Sequence, residues 1–160
     1  MSLHRAAVIV VGLMFSSTAA HADWQYTKWG MTPDQIIEAS KGQAERIKPL
    51  TREYRLRGKW VRSSHEFNDL AFDVVFRFDV NSSGLNMIKL RLKDKNRCDS
   101  LVSALKAKHQ KSIAKVISSG WSMLSWNDKK SNLRLRYFEG RIDGLPISCG
   151  IDYTPAKAGA

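Results

Sequence analysis

The sequence predicts an α+β fold: an antiparallel β-sheet with two short-to-medium helices packed on one face, and one disulfide. Three features predict it. Stretches in which apolar and charged residues alternate with period two recur along the chain between polar turn clusters, as half-buried antiparallel strands require. Two segments with helix-start signals or apolar residues at three- and four-residue spacing precede these stretches, and each would lay an apolar stripe on the sheet. The only cysteines, Cys98 and Cys149, form an even pair.

The chain of 160 residues opens with Arg5 in a short basic region, continues through the apolar run AAVIVVGLMF and reaches AHA, with Ala20 and Ala22 spaced as signal peptidase requires. Residues 1–22 are therefore read as a signal peptide cleaved between Ala22 and Asp23. The apolar run is too short to span a bilayer, and no later stretch approaches the roughly 18 apolar residues of a membrane helix. No transmembrane span is expected, and with no cysteine near the cleavage site, no lipid anchor either. The expectation is an exported protein, periplasmic or secreted, in which residues 23–160 form a single α+β domain with halves at 27–95 and 96–155. In an oxidising compartment Cys98 and Cys149 suit a structural disulfide better than a redox or metal site, since neither a CxxC motif nor a Cys/His cluster is present.

Thr32 as N-cap, Pro33 in the first helical position and Gln35 at the capping-box position start a short helix, with Ile36 and Ile37 as its apolar patch and Gly42 as its stop. In EYRLRGKWVR, residues 53–62, Tyr54, Leu56 and Trp60 alternate with Arg55, Arg57 and Lys59, which predicts a strand. In residues 70–79 Phe72, Val74, Phe76 and Phe78 face inward, with Asp73 and Arg77 outward. After the turn VNSSG, Ile88, Leu90 and Leu92 face inward, with Met87, Lys89 and Arg91 outward, completing a hairpin. A second helix starts near Cys98 or Asp99, carries Leu101, Val102 and Leu105, and ends near His109. Strands follow at 121–126, at 133–138, where Leu133, Leu135 and Tyr137 alternate with Arg134, Arg136 and Phe138, and at 147–153. The disulfide would tie the second helix to the last strand. Residues 76–92 and 124–138 share a plan of aromatic strand end, polar turn and alternating apolar and basic strand. A tandem helix-plus-meander repeat is one reading of this, although antiparallel hairpins produce such likeness by themselves.

The formal net charge is +11, and removal of residues 1–22 takes away only Arg5, leaving +10. Such a balance favours polyanionic partners. If the apolar positions face the helices, Arg55, Arg57, Lys59, Arg77, Lys89, Arg91, Arg134 and Arg136 share the opposite face. This basic sheet face is the expected binding site, set against a plain solvated face lined with long basic side chains. Trp60 among Arg57, Lys59 and Arg62 has the composition of a saccharide or nucleic-acid site. Strand alternation points Trp60 away from Arg57 and Lys59, which disfavours nucleic acid.

The pattern Gly30, Met31, Thr32, Gln35, Ile36 and later Gly42 resembles the GMTxxQ(V/I) opening of small bacterial envelope proteins. It is similar to the small lipoprotein subunit of the outer-membrane β-barrel assembly machinery and, more loosely, to the β-lactamase inhibitor protein superfamily. The resemblance implies short helices joined to an antiparallel sheet, and action by binding other proteins without cofactors or catalysis. The chain departs from the assembly subunit in lacking a lipid-acceptor cysteine and in carrying much more sequence after the first helix. The stretch CDSLVSALKAKHQK followed by strands also resembles the second half of many secreted bacterial proteins.

Beyond residue 22 the histidines are His65 and His109; neither lies in HExxH or at a metal-ligand spacing, and no GxSxG or Walker pattern occurs. His65 follows Arg62, Ser63 and Ser64 and is read as a surface histidine in a loop. No catalytic residue, metal or cofactor is expected. The leading expectation is a non-catalytic periplasmic protein that engages an acidic protein or an anionic envelope polymer through the basic face. The alternative is a secreted or periplasmic protein inhibitor of an enzyme. A third, a hydrolase, would need carboxylates distant in sequence to converge, with Asp69, Asp73, Asp79 and Asp152 as the available acids.

Overall fold

The computed structural model describes residues 24–47, 61–79, 81–109, 113–118, 120–128 and 132–156. The expected signal peptide lies outside the described residues, as do residues 53–60 of the expected strand at 53–62, with Arg55, Arg57, Lys59 and Trp60.

The capping box forms as its residues dictate. Thr32 Oγ1 accepts from the Gln35 amide, and Gln35 Oε1 accepts from the Thr32 amide at 2.9 Å, starting α1 (Pro33–Ala39). Lys41 and Gly42 then take left-handed conformations, with φ of 53° and 86°, and turn the chain toward β1 (Glu45–Arg46). Gly30 has a second reason to be glycine. Its φ is 84°, its amide donates to Leu85 O at 3.0 Å, and its Cα lies where a Cβ on Gly84 would come within 3.0 Å. The GMT segment is thus stitched to the sheet by close backbone approach, and Leu85 N returns the bond to Met31 O.

The remaining elements are β2 (Val61–Phe67), β3 (Leu70–Phe78), β4 (Leu85–Leu92), a 3-10 turn at Lys95–Arg97, α2 (Cys98–Lys108), β5 (Ile113–Ser118), β6 (Trp121–Asp128), β7 (Leu133–Ile142) and β8 (Leu145–Pro155). All paired strands are antiparallel, in the order β1-β2-β3-β4-β8-β7-β6-β5. The chain is α+β, with an antiparallel sheet and a disulfide. Phe72, Val74, Phe76, Phe78, Ile88, Leu90, Leu92, Leu135, Tyr137 and Ile151 are buried on one side, and Ile36 of α1 and Leu101 and Leu105 of α2 belong to the same cluster. No helix among the described residues is long and apolar enough to cross a membrane.

Several expectations need correction. His65 is not in a loop: it lies in β2 opposite Phe72, and its half-buried ring packs edge-on to Trp24 at 5.3 Å. In β2 Val61 is fully buried while Arg62 is exposed, so the odd positions Val61, Ser63 and His65 face the buried cluster. The turn after β2 is Asn68-Asp69, both left-handed at φ of 48° and 60°, the backbone of a two-residue hairpin that lets β2 pair tightly with β3. Asp143-Gly144, at 50° and 77°, does the same between β7 and β8, lengthening both beyond the expected ends. A further strand, β5, precedes β6 and was not expected. Outward from the central β4·β8 pair the order runs 4-3-2-1 and 8-7-6-5, so β3–β4 corresponds by position to β7–β8. The sequence comparison of residues 76–92 with 124–138 is one hairpin out of step with that.

Cys98 and Cys149 form the disulfide, with Cα atoms 5.9 Å apart, joining the first residue of α2 to β8. Both are buried. Beside it, Tyr137 Oη donates to Cys98 O at 3.4 Å, and Arg141 bridges Asp99 at 2.6 Å and the buried Glu139 at 2.7 Å. The start of α2 is thus held covalently and by charge. The bridge joins residues 51 positions apart in the sequence. On the chain-entropy account, the Cys98→Ala/Cys149→Ala variant is expected to lose up to roughly 4 kcal/mol in urea unfolding, with an unchanged far-ultraviolet circular dichroism spectrum at zero denaturant.

Candidate functional site

The side of the sheet opposite the buried cluster carries the charge. Alternation along β3, β4, β7 and β8 places Arg77, Lys89, Arg91, Arg134 and Arg136 there, and register brings them into adjacent rows. One row runs Val75, Lys89, Asp152, Arg136, Ser125 across β3, β4, β8, β7 and β6; the next runs Asp73, Arg91, Gly150, Phe138, Met123. Of the eight basic residues expected on this face, five are brought together, while Arg55, Arg57 and Lys59 lie outside the described residues.

Asp152 stands among these cations. Its Oδ1 accepts from Arg91 Nη1 at 3.1 Å, and its Oδ2 lies 3.7 Å from Lys89 Nζ. Burial pushes the Lys89 pKa below its ordinary value; Asp152 opposes this, and Arg91, Arg77 and Arg136 push it down further. Lys89 therefore sits beside one carboxylate and within electrostatic reach of three further cations. Arg136, the register partner of Asp152, has no hydrogen-bond partner at Nε among the described residues. Arg134 Nε donates to Asn127 Oδ1 at 3.0 Å across the β6–β7 pair.

Next to the cations is an aromatic floor. The Arg91 guanidinium stacks over the Phe138 ring at 4.0 Å from its centroid. Phe138 covers Gly150, and Trp121 covers Gly140: a Cβ on either glycine would come within 2.9 Å or 2.8 Å of the respective ring. Gly150 is required twice over, because that Cβ would also lie 2.2 Å from Leu90 O. Arg91, Trp121, Met123, Arg136, Phe138 and Asp152 line an open depression of about 280 Å³. Trp121 is 37% exposed, so an apolar surface is offered beside the guanidinium groups.

The other acids do not converge. Asp73 pairs with Lys93 at 3.5 Å, Asp79 accepts from the amides of Asn81 and Ser82, and the Asp69 carbonyl accepts from Arg97 Nη1 at 2.6 Å. Among the described residues no group of three or more His, Cys, Asp or Glu could hold a metal ion. The arrangement can therefore attract and orient an anion.

No protein-family model matches the chain, and neither does any curated protein or solved structure. The site is read from its own geometry.

Sequence reasoning placed Phe138 outward with Arg134 and Arg136, but missed Asp152 as the hub of the cluster and Trp121 as its apolar wall. Gly150 inside a predicted strand was the available signal, since an interior glycine marks close approach by a neighbour. The Asp152→Asn variant is expected to lower the Lys89 pKa further and to cost about 2 kcal/mol, because a charged hydrogen-bond acceptor is lost among cations. Titration of the Lys89 side chain by NMR, with urea unfolding alongside, checks both.

Proposed function

We propose that this is an exported, non-catalytic binding protein that engages an acidic protein or an anionic envelope polymer through the open sheet face. The observation that carries the reading is the concentration of Arg77, Lys89, Arg91, Arg134 and Arg136 on one side of the sheet, with Lys89, Arg91 and Arg136 next to Asp152. Holding such cations together raises their mutual repulsion, and an incoming anion relieves it. Export is supported by the signal-peptide pattern of residues 1–22 and by the disulfide. In this reading both helices cover one side of the sheet and leave the other for the partner. The mirrored strand order about β4·β8 supports a tandem helix-plus-meander plan, of the general kind implied by the resemblance to small envelope and inhibitor proteins.

One observation favours a second reading, inhibition of an enzyme by a protein interface. Phe67, Trp121, Ile142, Leu145 and Ile147 are exposed large apolar residues, and all lie toward the end of the sheet that carries the β2–β3 and β7–β8 hairpins. Apolar anchors of that kind hold a partner without net charge.

Salt separates the two. The mature, oxidised protein is immobilised and exposed to envelope extract at low salt and at about 0.5 M salt, where the Debye length falls to roughly 4 Å. The Arg91→Glu/Arg136→Glu variant is compared with a Lys28→Glu/Lys41→Glu control of equal charge change. Capture lost with salt and with the face variant, but kept by the control, is the expected result. Equal loss in both variants reduces the effect to net charge, and capture that survives salt and the face variant moves the site to the apolar end.

A further inference from the structure

On the other side of the sheet a cavity of about 210 Å³ lies between α2, β2, β3 and the N-terminal Trp24. Its walls are apolar: Phe72 and Leu90 from the sheet, Leu101, Ala104 and Leu105 from α2, and Ile151 from β8. Phe67, 49% exposed, also borders the cavity. Against this apolar lining stand four polar residues, Lys108, His65, His109 and Tyr153; no described residue lining the cavity is a carboxylate, and Asp128 reaches His109 electrostatically from outside that lining.

These polar residues have definite roles. Lys108 is the last residue of α2 and is exposed, so it supplies a positive charge at the cavity's edge. Gln25 Nε2 lies 2.7 Å from His65 Nδ1; with the amide donating, the ring proton is on Nε2, which is left as a donor. His109 caps α2, and its carbonyl accepts from Trp126 Nε1 at 2.9 Å, which fixes the backbone beside the cavity. Burial lowers the pKa of both imidazoles, so near neutral pH they are hydrogen-bonding groups and Lys108 is the cation.

An apolar chamber with a few polar groups and one sign of charge selects for an apolar body with a single anionic end. We propose that this cavity binds a medium-chain carboxylate, with the aliphatic tail beneath α2 between Leu90, Leu101, Leu105 and Ile151 and the carboxylate at Lys108. The volume suits a tail of about eight carbons, since cavities near 150 Å³ already hold benzene. This site is separate from the basic face and stands or falls without it.

The test uses octanoate, with acetate and 1-octanol as probes that keep only the charge or only the tail. Methyl resonances of Leu90, Leu101, Leu105 and Ile151 are followed by NMR in the oxidised protein. Octanoate is expected to shift them saturably, 1-octanol about tenfold more weakly, and acetate not at all up to ~10 mM. Lys108→Gln should bring octanoate to the affinity of 1-octanol, and Leu105→Trp should abolish binding by filling the chamber. Should Leu105→Trp fail to fold, Ala104→Phe and intermolecular contacts from the octanoate methyl group to Leu101 give the same information. No saturable shift with octanoate, or binding unchanged by filling the chamber, overturns the proposal. Equal affinity for octanoate and 1-octanol overturns the carboxylate assignment.

Discussion

The pairing of β4 with β8 is the constraint on which the rest depends. It joins a meander that ends at Leu92 to one that begins near Ile113, through partners such as Leu90 with Ile151 and Arg91 with Gly150. Leu90 O lies so close to Gly150 that a side chain there has no room, so the register is dictated by a glycine. One residue before it, Cys149 carries the disulfide to α2, and two residues after it, Asp152 meets Lys89 and Arg91. A slip of one residue would exchange the two faces of β8, burying Asp152 and exposing Cys149 and Ile151.

That single register therefore sets both surfaces. On the side of the buried cluster it places Ile151 with Leu101 and Leu105 in the lining of the apolar cavity. On the open side it inserts one carboxylate into a field of cations. Without Asp152, Lys89 and Arg91 would lose the carboxylate they share while Arg77 and Arg136 still act on Lys89, and the cost would fall on a half-buried lysine whose ammonium is already disfavoured. Asp152 holds the cluster together while leaving the face net positive, which is the electrostatic condition for an anionic partner to gain by docking.

Much of this was legible from residue chemistry. The capping box at Thr32 and Gln35, the alternation in β3 and β4 and the extent of α2 each follow from local rules that the tertiary structure did not need to override, and the disulfide was legible because the chain has only two cysteines. The misses were also local. Asn68-Asp69 and Asp143-Gly144 carry two-residue hairpin chemistry, and weighing them would have put His65 on a strand and lengthened β7 and β8. β5 was hidden because IAKVIS is short and lacks clean alternation, so period alone could not separate it from a loop.

The sequence by itself determined which residues alternate, where helices start, and that a basic set of side chains would share one side of any antiparallel sheet built from these strands. Those properties are periodic, and a period can be counted along a chain. Strand order, the meeting of β4 with β8, the placing of Asp152 among Lys89, Arg91 and Arg136, and the cavity beneath α2 were decided only by the tertiary structure. Each depends on contacts between segments distant along the chain, such as Leu90 with Ile151 and Lys89 with Asp152, and no local rule fixes such pairings.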